Sequence, residues 1–150
     1  MPEFQTITRE NRKERERLSA LVAGLREGDF QHRLPNGWTV TMALGHLAFW
    51  DLRQATLLKR WSQQGVQPGS LDAEAINEPL SVLSASIYPQ AVVRLVVEAA
   101  ETIDHAVEQL TPSQVKDLLK MGLERNLHRA LHRREHLDKI EKALRKTAEV

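Results

Sequence analysis

Three histidines at four-residue spacing, His128, His132 and His136, lie in the stretch LHRALHRREHLDKIEKAL at residues 127–144. On a helix, positions four apart sit about one turn apart and about 40° apart in azimuth, so a neighbouring pair can present its imidazoles to one ion. The outer two stand about 12 Å apart along the axis, too far to share an ion easily. The apolar phase favours one pair. Leu123, Leu127, Ala130 and Leu131 mark the buried side early in the segment, and Leu137, Ile140, Ala143 and Leu144 mark it later. That stripe rotates toward the histidines, so His132 with His136 is the favoured pair and His128 is the alternative ligand. The competing reading is a solvated polar face that happens to use histidine.

A two-histidine pair needs a third ligand, and His46 in TVTMALGHLAFWDLR is the candidate. It lies on the edge of the apolar side that carries Ala43, Trp50 and Leu57. A histidine among such neighbours can equally be a hydrogen-bonded core residue. Three neutral imidazoles from two packed helices suit Zn2+ or Ni2+ with a position left for water or substrate. Asp51, about one turn beyond His46, can serve as a general base or accept a ligand's second N–H; otherwise it is an exposed or helix-pairing carboxylate. Arg125, Arg129 and Arg133 follow the same spacing beside the histidines. They would be awkward in a dry core, and in a wet pocket Arg129 and Arg133 can hold an anionic ligand group. His32 and His105 read as structural or surface residues, Asn77 as a helix cap with a pocket role as the alternative, and Trp38, Phe49, Trp50 and Trp61 as packing residues.

Positioning these groups requires long helices. The first is expected over 8–27, capped by Thr8 and ended by Gly28, and the second over 39–64, capped by Thr39 and stopped by Gly65. A third is expected over 89–110, with Pro89 in its first turn, and a fourth over 122–147. Residues 65–88 form a connection rich in Ser, Pro and Gly, with room for one short helix; loops of this length are often functional. A short helix or turn fits 112–120, and no segment reads as a strand. Four amphipathic helices in one domain spanning 1–150 imply an all-α helix bundle whose long connection crosses one end.

Composition narrows the function classes. The chain has 150 residues and no cysteine, with 21 basic and 20 acidic residues. Disulfides, zinc–thiolate ligation and a protein thiol nucleophile are excluded within it. The near-cancelling charge gives no general attraction to nucleic acid or anionic membranes. The basic residues of the fourth helix are interleaved with Glu124, Glu135, Asp138 and Glu141, which argues against a nucleic-acid-binding face. No signal core or membrane-length apolar run is present, and the reading is a cytoplasmic, soluble protein.

The stretch GWTVTMALGHLAFWD at 37–51 resembles the second-helix motif of the DinB-like superfamily, and HRREHLDKI at 132–140 resembles its fourth-helix His-x-x-x-His motif. LDAEAINEPL at 71–80 is similar to its crossover segment. The resemblance covers essentially the whole chain. It implies an up-up-down-down four-helix bundle with a long crossover between helices two and three, often a homodimer. It implies a divalent metal, Zn or Ni, held by His46, His132 and His136. Relatives include transferases that use low-molecular-weight thiols, an isomerase dependent on such a thiol, and a hydrolase, so the implied function is metal-dependent thiol transfer to a small electrophile or hydrolysis of a small molecule. A non-catalytic protein that sequesters a small molecule on the same bundle is the alternative. Two departures stand out. Leu137-Asp138-Lys139 replaces the Arg-Gly-Gln frequent after the second helix-four histidine, which leaves subfamily and substrate open, and His128 is an additional histidine one turn earlier.

Overall fold

In the computed structural model, residues 1–148 are described. Among them the regular elements are all helical: α1 (Pro2–Ala23), a 3-10 turn (Glu27–Gln31), α2 (Val40–Gln64), α3 (Ala73–Ser84), α4 (Pro89–Glu108), α5 (Pro112–Lys120), α6 (Glu124–Leu127) and α7 (Arg129–Ala148). The only extended pairing among the described residues is an isolated bridge between Arg33 and Thr39.

Local chemistry explains most boundaries. The Thr39 hydroxyl accepts from the Met42 amide and opens α2, and Gly65, at φ 81°, closes it. Pro89 opens α4, where a missing N–H is harmless. Thr111 and Gln114 cap α5 reciprocally. The first helix departs from expectation. It begins at Pro2 and ends before Gly24, and the Thr8 hydroxyl bonds back to the Gln5 carbonyl inside the helix instead of capping it. Its early turns bury Ile7, Asn11 and Glu14, a mostly polar face that apolar periodicity does not register.

The expected continuous fourth helix is broken at His128, whose φ −87° and ψ 71° interrupt it between α6 and α7. The break leaves the Leu127 carbonyl and the Ala130 amide without helical partners. The buried Asn11 carboxamide satisfies both: its Nδ2 donates to Leu127 O at 2.8 Å, and its Oδ1 accepts from Ala130 N at 2.9 Å.

The four long helices, α1, α2, α4 and α7, pack side by side. Polar contacts fix their directions. Asn11, Glu14 and Arg17 of α1 meet Ala130, Arg134 and Glu141 of α7 in ascending order, so those two helices run parallel. One apolar cluster joins the start of α2 to the start of α4 and to the ends of α1 and α7, including Leu18, Leu44, Val96 and Ile140. A second joins the start of α1 to the ends of α2 and α4, including Ile7, Leu58, Trp61 and Val107. The sense is therefore up-down-down-up, and the expected up-up-down-down order is corrected. The 24–39 connection stays at one end, anchored by buried Phe30 and Leu34, and only the connection containing α3 returns along the bundle.

Between the two apolar clusters lies a buried ionic layer. Arg133, fully buried, meets Asp51 Oδ2 at 3.2 Å and Asp104 Oδ1 at 2.8 Å, and also donates to the carbonyls of Asn11 and Ala100. Arg129 Nε reaches Asp51 Oδ1 at 2.9 Å. Burial alone would lower the Arg133 pKa, but Asp51 and Asp104 outweigh it and raise it. Burial pushes the Asp104 carboxyl up, with Arg133 pulling the other way. Helix α3 docks onto α2 at Gly45, where a Cβ would collide with the Ser84 side chain. No helix among the described residues is long and apolar enough to cross a membrane.

Candidate metal centre

Helix α2 aims His46, Trp50 and Gln54, each four residues from the next, at one side of the bundle, where they meet His132 and His136 of α7. The ring centroids of His46, His132 and His136 lie 4.6–5.0 Å apart. One ring nitrogen from each falls within 4.8 Å of the others, so the three could hold one metal ion. They line a cavity of about 450 Å3. Trp38, delivered by the turn before the Thr39 cap, lies 5.0 Å from the His46 ring and nearly parallel to His136 at 6.4 Å. That turn is set by the Asn36 side chain, which accepts from the Trp38 amide, and by Gly37 at φ 86°. Across the cavity, Trp50 Nε1 donates to Asn77 Oδ1 of α3 at 2.9 Å.

Burial depresses all three imidazoles. His46 falls from 6.5 to about 4, and His132 from 6.5 to about 2, each with added repulsion from His136. His136 also falls to about 4. All three are neutral near pH 7, the form in which imidazole ligates.

Hydrogen bonds fix the proton positions. Arg129 Nη2 lies 3.3 Å from His132 Nδ1, and a guanidinium can only donate, so that nitrogen accepts. The His132 proton is then on Nε2 and is donated to His46 Nε2 at 2.9 Å. His46 then carries its own proton on the buried Nδ1, and the nearby Asn77 side chain favours protonation of the ring. The donor set suits a divalent ion in kind: three imidazoles whose ring nitrogens lie within 4.8 Å of one another would be its ligands once the rings adjust. His132 must also shift its proton to Nδ1, the atom Arg129 now faces.

The other expected site residues are placed differently. Asp51 does not line the cavity; both its oxygens are taken by Arg129 and Arg133, which removes it as a general base. Arg133 lies in the dry ionic layer, so it cannot bind substrate, because two buried carboxylates neutralise it there. Arg129 does line the cavity, although it is 95% buried and tied to Asp51. His128 borders the cavity, but the break turns its ring to Glu10, with Nε2 to Oε2 at 2.6 Å, and the alternative pairing with His132 is not formed. His105 is exposed, as expected. Asn77 sits within α3 and does not cap it; that role belongs to Asp72, which accepts from Ala75 N.

Several cavity residues escaped the sequence reading, Glu135, Trp38 and Trp50 among them. Glu135 is the one carboxylate among the described lining residues, and it pairs with Lys139 at 2.9 Å. Trp38 and Trp50 supply aromatic wall as well as packing. Trp50 follows His46 by four residues on α2, a spacing that could have marked it as a neighbour of the imidazole, whereas Trp38 lies before the Thr39 cap and is brought there by the turn. No known family, curated protein or solved structure matches this chain.

Proposed function

We propose that this chain is a DinB-like, divalent-metal-dependent enzyme that transfers a low-molecular-weight thiol to a small electrophile or hydrolyses a small molecule. One observation carries the reading: three neutral imidazoles from two helices converge at the wall of a cavity large enough for a small substrate. His46, His132 and His136 would be the ligands of Zn2+ or Ni2+. When bound, such an ion supplies Lewis acidity that lowers the pKa of a small thiol or of water. The protein contributes the rest. Trp38 and Trp50 exclude water from one side, Arg129 offers a cation to an anionic ligand group, and Glu135 offers a carboxylate for proton transfer. A homodimer belongs to the same reading, and sedimentation would measure it.

The first experiment is metal analysis by mass spectrometry on protein purified without a metal-affinity tag. About one ion per chain is expected, since three ligands complete one site, with loss in His46→Ala, His132→Ala and His136→Ala. Metal retained in all three variants would refute the ligand set. Thiols and electrophiles are then screened with the loaded protein.

A non-catalytic small-molecule-binding protein is the second reading. It is favoured by one fact: Asp51 is withdrawn into the ionic layer and the Glu135 carboxylate is already engaged by Lys139. Turnover that disappears in folded His46→Ala supports the enzyme; ligand binding without turnover supports the binder.

A further inference from the structure

A second cavity, of about 710 Å3, lies between the 32–35 segment and the last turns of α7. Four cations line it: Arg33, Lys139, Lys142 and Lys146. No Asp or Glu is among the described lining residues, and Leu34, Pro35 and Ala143 supply an apolar portion. For a chain of net charge +1, this is a concentrated patch.

The charge sorting along α7 produces it. Arg17 of α1 gathers the acids on one side of α7, reaching Asp138 Oδ1 at 2.6 Å and Glu141 Oε2 at 2.8 Å. Positions 139, 142 and 146 recur at i, i+3 and i+7, one face of the helix. Among the described residues, Lys142 and Lys146 have no carboxylate within ion-pair distance, while Lys139 is shared with Glu135. Arg33 is held in place by donating to the Gly37 carbonyl at 2.7 Å, which leaves other guanidinium N–H groups for a ligand. Helix polarity does not account for the row. A cation is favoured within the last turn of a helix, and Lys139 and Lys142 lie before it.

We infer that this cavity binds a small phosphate-bearing molecule with an apolar portion. Ammonium groups on one helix face act as point charges suited to a phosphoryl group, and a guanidinium adds directed donors. The volume suits a ligand of metabolite size, and the apolar lining distinguishes the site from a plain electrolyte surface. The inference does not depend on the histidine cluster.

Calorimetric titration with phenyl phosphate tests it, with inorganic phosphate and phenol as comparators. Phenyl phosphate is expected to saturate at one per chain and to bind more tightly than either comparator. Lys142→Gln combined with Lys146→Gln should weaken it at least ~10-fold, about the effect of losing one charge-assisted hydrogen bond. Both positions are exposed, so the fold should persist, with metal content at the histidines unchanged. The inference is overturned by no binding at millimolar phenyl phosphate, equal binding in the double variant, phenol binding as tightly, or loss of binding in Arg125→Gln alone, which would put the anion in the histidine cavity. Binding to polyphosphate that strengthens with chain length and never saturates would also overturn it, since the surface would then be an unspecific electrolyte patch.

Discussion

At the scale of single residues, the imidazole cluster sets two expectations. The first concerns acid. In the metal-free protein, His46 and His136 titrate near 4 and His132 lower still, while all three titrate near 6.5 in the unfolded chain. Between those values the unfolded state binds more protons, so stability rises with pH. Their contribution is complete above about pH 6.5 and declines as pH falls toward 4. Thermal melts of metal-free protein from pH 7.5 to 4.5 should show this decline, and His132→Gln should flatten it. The second concerns Arg129. Its guanidinium faces the His132 nitrogen that must carry a proton when the other nitrogen ligates. Arg129→Gln, whose amide oxygen can accept that proton, should tighten zinc binding by about 10-fold in a competition titration with a chelator; weaker binding would show that the arginine supports the site.

The imidazole trio was legible because ligand chemistry advertises itself through spacing. The ionic layer was not, because apolar periodicity treats a buried charge as surface. The cue was present: Arg133 shares a stripe with Ala130, Leu137 and Ile140, and Asp104 follows Ala100 and Ile103. A cation and an acid on the dry sides of two helices imply each other. Asp51→Asn should cost about 3–5 kcal/mol in urea unfolding, since it leaves two buried guanidinium groups under-compensated.

At the scale of elements, capping and glycine chemistry placed α2 and α4 closely, because Thr39, Gly65 and Pro89 act on their own neighbours. The interruption at His128 was hidden because the side chain that satisfies its freed backbone groups, Asn11, lies more than a hundred residues away. Nothing near His128 in sequence announces a breaker. Asn11→Ala should destabilise the protein by about 2–3 kcal/mol, as a buried carbonyl and a buried amide lose their partner, and should loosen His128 from Glu10. The α2–α3 contact gives a sharper test. Gly45→Ala drives a methyl group into Ser84 and should displace α3, perturbing the Trp50–Asn77 bond in the fluorescence spectrum. Adding Ser84→Gly should restore both; failure to do so would show that the glycine matters for another reason.

At the scale of the whole molecule, direction was the part least available from sequence. Helix periods carry no sign, and both up-up-down-down and up-down-down-up satisfy the same four amphipathic stripes. Long-range pairs such as Glu14–Arg134 and Arg17–Glu141 decide between them. The ionic layer then locks the choice. A bundle with an unbroken apolar seam can slip by a turn at modest cost, whereas a slip here would separate Arg133 from Asp51 and Asp104 together.

Helix α3 forms one wall of the histidine cavity, yet Ser84 is its only buried residue. Its Asp72 end follows a stretch without regular structure, and its Ser84 end is pinned at Gly45. Burial of this kind sets how often a segment opens. In hydrogen–deuterium exchange, amides at 73–80 should therefore label in a fast phase while those of α2 at 44–51 stay dark for far longer. The imidazoles thus stand on a deeply packed helix and face a thinly packed one, held by the Ser84–Gly45 contact and the Asn77–Trp50 bond, so that substitutions on α3 should change the shape of the cavity while the imidazole cluster keeps its own support.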